Sequence, residues 1–243
     1  MTQNIRVGRS TKAWAIFVGV VVALLAVDLG LKSWSFANVG ERPVRLVSMA
    51  AWERMIVEGT DPAELVVPVE YANRELAGNG SIPVVPLLIE LRLTTNDGAV
   101  FGLGSGGRWG FVGFSVVAVG VIAVIFWRSR RDARWLHLGL ALVLGGALGN
   151  LYDRVVYGVV RDMLHLFPGV RLPYGWEWPG GGTTLYPWIF NLADVFLLAG
   201  VAVITLTSMD SRRAVEAGQS DAEPSGSSSG GGGGGGDQSA KQA

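Results

Sequence analysis

Four stretches of this chain are long and apolar enough to cross a lipid bilayer: roughly Ala13–Leu31, Trp109–Trp127, Leu136–Val156 and Trp188–Met209. A spanning helix needs about 20 largely apolar residues, because hydrocarbon offers no partner to a backbone N–H or C=O and a helix satisfies them internally. The 243 residues therefore read as a mainly α integral membrane protein. Four transmembrane helices are expected, with a small extracytoplasmic β-sheet and an outer loop between them. Trp14, Trp109, Trp127, Trp135 and Trp188 fall at span ends, where an interfacial aromatic belt belongs.

Basic residues fix the expected orientation. Arg6, Arg9 and Lys12 precede the first span, Arg128, Arg130, Arg131 and Arg134 separate the second from the third, and Arg212 and Arg213 follow the fourth. The positive-inside rule then puts both termini and the middle connection in the cytoplasm. Residues 1–12 are a cytoplasmic segment, 13–210 the four-span domain with outer segments 33–108 and 157–187, and 211–243 a disordered cytoplasmic tail with a glycine run at Gly230–Gly236. A cleaved signal peptide ending near Ser35-Phe36-Ala37 is the competing reading of the first span. The length of its apolar run, and Asp28 and Lys32 just before that site, argue against it.

In the first outer segment, Ala50–Val57 can form a short helix, and Ile89, Leu91 and Leu93 alternate with Glu90, Arg92 and Thr94. That period of two predicts a half-buried strand, which Asn96-Asp97-Gly98 ends in a turn. Residues 163–187 of the second outer segment are rich in Pro, Gly and Trp and read as an ordered loop or lid, with Tyr174–Trp178 anchoring it at the interface. His165 is expected on its surface, and His137 at the cytoplasmic side. Gly110, Gly113 and Gly120 in the second span, and Gly139, Gly145, Gly146 and Gly149 in the third, are expected to permit close helix approach.

The chain has no cysteine and only two histidines, far apart in sequence, so thiol chemistry is excluded and no metal site or cofactor is expected. Its formal net charge of zero gives no general attraction to nucleic acid.

What remains is a set of polar groups in places where hydrocarbon makes them costly. Asp28 and Lys32 share a helix face at i and i+4. Asn150 and Asp153 share a face one turn apart, followed by Arg154 and, after Gly158, by Asp162. Asn191 and Asp194 repeat the Asn-x-x-Asp spacing at the start of the fourth span, and Asn96 precedes the second. With the amino terminus inside, all of these lie at outer ends. Asp194, six residues past Trp188, is expected about 9 Å into its helix. One polar pocket just below the outer surface follows. Two carboxylates close together in low dielectric cannot both ionise cheaply, so one keeps a proton while the other stays basic. Such a pair can activate water against an amide carbonyl. A small four-helix transporter or proton-relay protein is the alternative, but it would spread its polar groups through the membrane or hold them at the midplane.

The sequence GGALGNLYDRVVYGVVRD at Gly145–Asp162 resembles the GGxxGNxxDRxxxGxVxD signature of the lipoprotein signal peptidase (signal peptidase II) family of aspartyl peptidases. FNLAD at Phe190–Asp194, NDGAVF at Asn96–Phe101 and Asp28 with Lys32 are similar to its FNxAD, NxGxxF and DxxxK motifs. The resemblance covers residues 13–210. It implies that Asp162 and Asp194 form a catalytic dyad, with Asp28, Lys32, Asn96, Asn150, Asp153, Arg154 and Asn191 shaping or bracing the pocket. Asp153 and Arg154 are expected to hold the end of the third helix, and Asn96 to form a turn or to touch substrate backbone. The implied reaction is removal of signal peptides from diacylglyceryl-modified prolipoproteins, amino-terminal to the lipidated cysteine. The implied setting is the bacterial inner membrane, and the implied partners are the prolipoprotein substrates and membrane lipids. The enzyme is expected to act as a monomer.

Overall fold

The structure, a computed structural model, describes residues 10–57, 65–69, 72, 76, 78–98, 108–179 and 181–220, with the side chains of the last helix described as far as Met209. Expectations for Arg6 and Arg9, for Ala99–Phe101 of the NDGAVF stretch, for Gly102–Gly107 and for residues 221–243 lie outside these. The chain divides into two compact units, Met1–Thr207 and Ser208–Ala243, and the site lies in the first.

Helix α1 (Thr11–Asn38) is capped by Ser10, whose Oγ accepts from Ala13 N. It is followed by β1 (Val44–Val47), the short helix α2 (Met49–Val57), β2 (Leu65–Pro68), β3 (Ile82–Val85) and β4 (Ile89–Asn96). Helix α3 (Arg108–Arg128) is the second span and α4 (Arg134–Val156) the third. Strands β5 (Val160–Leu166) and β6 (Ile189–Phe190) precede α5 (Leu192–Ser220), the fourth. All four long helices have the length and composition of membrane spans, and the protein is an integral membrane protein. The third span is central: 44% of its most apolar window is buried, against 11–17% for the others.

Strand β1 pairs with β2 in parallel, and β3-β4-β5-β6 form an antiparallel sheet. The alternation expected for residues 89–94 is observed: Leu91, Leu93 and Thr95 are buried while their neighbours are half-buried. Two hydrophobic clusters hold the unit together. One joins Phe36 and Val39 at the carboxyl end of α1 to Leu91, Leu93 and Met163 of the sheet. The other joins Phe17, Val21, Ile122, Phe126, Leu140 and Leu144 of the first three spans, with the Phe17 and Phe126 rings stacked at 3.9 Å.

The glycines of the third span do allow close approach. A Cβ on Gly146 would meet the Ala193 carbonyl and Leu197, and one on Gly139 would meet Ile204. Gly110, Gly113 and Gly120 do not: nothing lies within 4 Å of a Cβ there, because all three sit on an exposed side of α3. Residues 163–187 are also not purely loop, since β5 runs on to Leu166. Gly158, at φ +88, turns the chain from α4 into β5, which carries Asp162. The fourth span begins later than Trp188, since β6 and Asn191 come first. Residues 211–220, expected in the tail, continue α5, as helix-forming Ala214, Glu216 and Ala217 favour.

Candidate active site

Asn191 stands immediately before α5, and its Oδ1 accepts from Asp194 N at 3.2 Å while Asp194 Oδ2 accepts from Asn191 N at 3.1 Å. This is a reciprocal capping box, and it explains the Asn-x-x-Asp spacing. Asp194 consequently lies in the first helical turn, not 9 Å along the helix. A third cap comes from α1: Asp28 Oδ1 accepts from Ala193 N at 2.9 Å. Carboxylates at this end are stabilised by the helix dipole.

Asp162 reaches the same end from β5, where it pairs in register with Thr94. It is 1% exposed. Its Oδ1 accepts from Asn191 Nδ2 at 2.6 Å, and Asn96 supplies a second hydrogen bond. Asn191 Nδ2 also donates to Asn150 Oδ1, and Asn150 Nδ2 donates to Asp194 Oδ1 at 2.8 Å. Two asparagines thus join the two aspartates. Burial holds the Asp162 carboxyl up at about 8, with the Asp194 charge adding to the effect and the Asn191 hydrogen bond opposing it. Both Asp194 oxygens accept N–H groups, a geometry that suits a carboxylate.

Behind the pair lies a buried charge cluster. Lys32 Nζ is 2.8 Å from Asp28 Oδ2, 3.3 Å from Asp153 Oδ2 and 3.1 Å from Asn150 Oδ1. Asp153 also accepts from Arg161 N, Nε and Nη2 at 2.9–3.1 Å, and the Arg161 guanidinium lies over the Tyr157 ring at 4.4 Å. Asp28, Lys32 and Asp153 are fully buried and Arg161 is 4% exposed, so two acids and two bases neutralise one another. Gly149 makes room for this cluster, since a Cβ there would meet Asp28 Oδ2 and Ala193.

Every residue expected at the site is therefore brought to one end of the spans, with two changes of role. Asp153 and Arg154 do not act together: successive helix positions diverge by about 100°. Arg154 instead donates to the Asn150 and Gly98 carbonyls and covers the Phe111 ring at 4.9 Å. Asn150 is no mere part of the helix end but contacts Asp194, Asn191 and Lys32. Asn96 forms the expected turn by accepting from Gly98 N, in addition to its bond with Asp162.

Two contributors escape a sequence reading. Arg161 looks like a neighbour of Asp162, yet strand alternation sends it to the opposite face, toward Asp153. His165 is not a surface histidine. It is 6% exposed, and its ring lies 2.8 Å from Glu90 Oε1 and 3.0 Å from the Tyr186 carbonyl. Its position opposite Glu90 in the β4–β5 register was a signal available only once β5 was known.

The signal peptidase (SPase) II family matches residues 65–210. A lipoprotein signal peptidase of Pseudomonas aeruginosa is 36% identical over 151 residues, which are 60% of this chain and 82% of the relative. One of Rhodopseudomonas palustris is 30% identical over 72% of this chain and 98% of its own length. One of a Methylobacterium strain is 38% identical over 46% of this chain, and the match spans 58% of that relative. The fold is similar to that of a bacterial membrane enzyme solved by the in meso method at 2.3 Å, with a TM-score of 0.50, 20% identity and coverage of 81% of this chain and 88% of the other. With the family match extending over more than half of its length, from β2 through the fourth span, this chain belongs to the signal peptidase II family of peptidases.

Proposed function

We propose that the protein is an aspartic endopeptidase of the bacterial inner membrane that removes signal peptides from diacylglyceryl-modified prolipoproteins, with Asp162 and Asp194 as its catalytic pair. The observation that carries this reading is the buried Asp162, whose carboxyl burial pushes up to about 8, joined through Asn191 to a more exposed, hydrogen-bonded Asp194. Asp194 takes a proton from a water, whose oxygen attacks the carbonyl carbon of the bond before the lipidated cysteine. Asp162 gives its proton to the carbonyl oxygen. Collapse of the tetrahedral intermediate breaks the C–N bond: one hydroxyl of the intermediate returns its proton to Asp162 as the carboxyl product forms, and Asp194 passes the proton taken from water to the amide nitrogen, which leaves as the cysteine's free amine. Asn191 and Asn150 orient the carboxylates, and the Asp28–Lys32–Asp153–Arg161 cluster holds the ends of α1, α4 and β5 in place.

The acyl chains supply affinity from the bilayer, each buried methylene contributing about 0.8 kcal/mol, and position the scissile bond against the pair. Both termini face the cytoplasm and the pair lies near the outer face, which follows from the flanking arginines. The enzyme acts as a monomer on its prolipoprotein substrates and the surrounding lipids.

The test is cleavage of a prolipoprotein by the purified protein, with and without the diacylglyceryl group, followed by mass determination of the products. A new amino terminus at the lipidated cysteine, seen only with modified precursor, is expected. Cleavage elsewhere, or equal cleavage of unmodified precursor, overturns the substrate assignment.

A further inference from the structure

At the end of the spans opposite the aspartate pair, α1, α3 and α4 leave a half-open cleft of about 430 Å³. Its wall is apolar, with Ile16, Val20 and Leu138 exposed along the membrane-facing sides of α1 and α4 and the Phe126 ring behind them. Its mouth is basic. Arg131 and Arg134 line it, and among the described residues neither forms an ion pair. Arg130, by contrast, is held by Asp132 at 2.7 Å. The first turn of α4 opens on the same mouth, and its cap residue, Ala133, offers no side-chain bond. The partial positive charge of that helix end is thus left for something else to balance. A greasy channel continuous with the bilayer and closed by two unpaired guanidiniums matches one ligand chemistry: an acyl chain carrying a phosphodiester. Basic pockets between spans at the cytoplasmic surface are suited to anionic lipid head groups.

We propose that this cleft is a binding site for one anionic phospholipid, its phosphodiester between Arg131 and Arg134 and one acyl chain along Ile16, Val20 and Leu138. The site is separate from the aspartate pair, and its existence does not depend on which substrate is cleaved. Only its assignment to the inner leaflet rests on the orientation given above. The two arginines fix the ends of α3 and α4 to a lipid that is abundant at a negatively charged membrane face, so the ligand acts as a structural lipid holding the bundle at its cytoplasmic end.

Native mass spectrometry of the full-length protein tests this, with phosphatidylglycerol, phosphatidylcholine and soluble glycerol phosphate as probes. Wild type is expected to retain phosphatidylglycerol in preference to phosphatidylcholine and to bind glycerol phosphate weakly. Arg131→Gln with Arg134→Gln should weaken phosphatidylglycerol retention by roughly 10- to 30-fold, since each basic residue near an anionic lipid surface contributes appreciably, while Arg130→Gln keeps it. Val20→Trp, which fills the channel and leaves both arginines, should also weaken it. Prolipoprotein cleavage by each variant in neutral micelles reports that the fold is intact. Equal retention of the two lipids by wild type, or undiminished selectivity in the folded double variant, overturns the proposal. Binding of glycerol phosphate as strong as that of the lipid does so too, because it reveals a bare anion site.

Discussion

The side-chain amide of Asn191 donates to Asp162 Oδ1 at 2.6 Å, across the gap between a helix start and a strand. The same residue caps α5 through its carbonyl oxygen, so one side chain serves both the helix and the carboxyl. The two duties can be separated. Asn191→Ser keeps a capping oxygen, and Ser is about as good a cap as Asn. Its melting temperature should stay near wild type while kcat for prolipoprotein cleavage falls and the alkaline limb of the pH profile moves up, since a bond that opposes the raised Asp162 pKa is lost. An unchanged profile would show that Asn191 acts only as a cap.

Asp162→Asn and Asp194→Asn should each reduce cleavage of diacylglyceryl-modified prolipoprotein by about 10²-fold or more, the range of a lost general acid or base. Asp162→Asn should match the wild-type melting temperature below pH 3.8, where the carboxyl is neutral both folded and unfolded, and exceed it at pH 7, where only the unfolded wild type has lost the proton. A variant that keeps full activity removes that residue from the pair.

Because burial raises Asp162 to about 8 from an ordinary 3.8, the folded protein binds this proton more tightly than the unfolded chain. The stability it contributes is fully present below pH 3.8 and is lost as pH rises through 8, at no more than about 1.4 kcal/mol per unit. Activity should likewise fall above pH 8 as the proton leaves. Thermal unfolding from pH 5 to 9 should show this decline in wild type and a shallower one in Asp162→Asn.

Lys32→Met strips the charge partner from two fully buried carboxylates. Breaking a buried pair in this way costs about 3–5 kcal/mol. The double variant Lys32→Met, Asp28→Asn should recover part of the loss. Unfolding of the purified single and double variants in denaturant measures both.

Gly149→Ala drives a methyl group into Asp28 Oδ2, with the Ala193 side chain also close. Overpacking of this kind costs about 1–3 kcal/mol. Gly120→Ala, with open space around it, should leave the melting temperature unchanged and serves as the control.

The spans and the residues of the site were legible because hydrocarbon makes exceptions conspicuous: Asp28, Asn150, Asp153, Arg154 and Asp194 stand out in runs that otherwise carry no charge. The strand at 89–96 showed itself by alternation. Strand β5 did not, because Val160, Arg161, Asp162 and Met163 are all buried and a strand covered on both faces has no period of two to display. Its invisibility hid the Asp153–Arg161 pairing and the burial of His165. Asp194's depth was misjudged for a related reason. Counting from Trp188 assumes that the helix starts there, but the chain spends Ile189 and Phe190 on a strand before the helix begins.

The buried charge cluster has a consequence for how the chain enters the membrane during synthesis. Asp28 and Lys32 are one helical turn apart, and Asp153 meets Arg161 only eight residues later. Each costly charge therefore travels with its own counterion in the same newly made segment. The first span is balanced before it meets any other, and the third gains its balancing Arg161 from β5, just past its carboxyl end, as soon as that strand is made. The bond from Lys32 to Asp153 then becomes the joint between two modules that were already safe to insert alone.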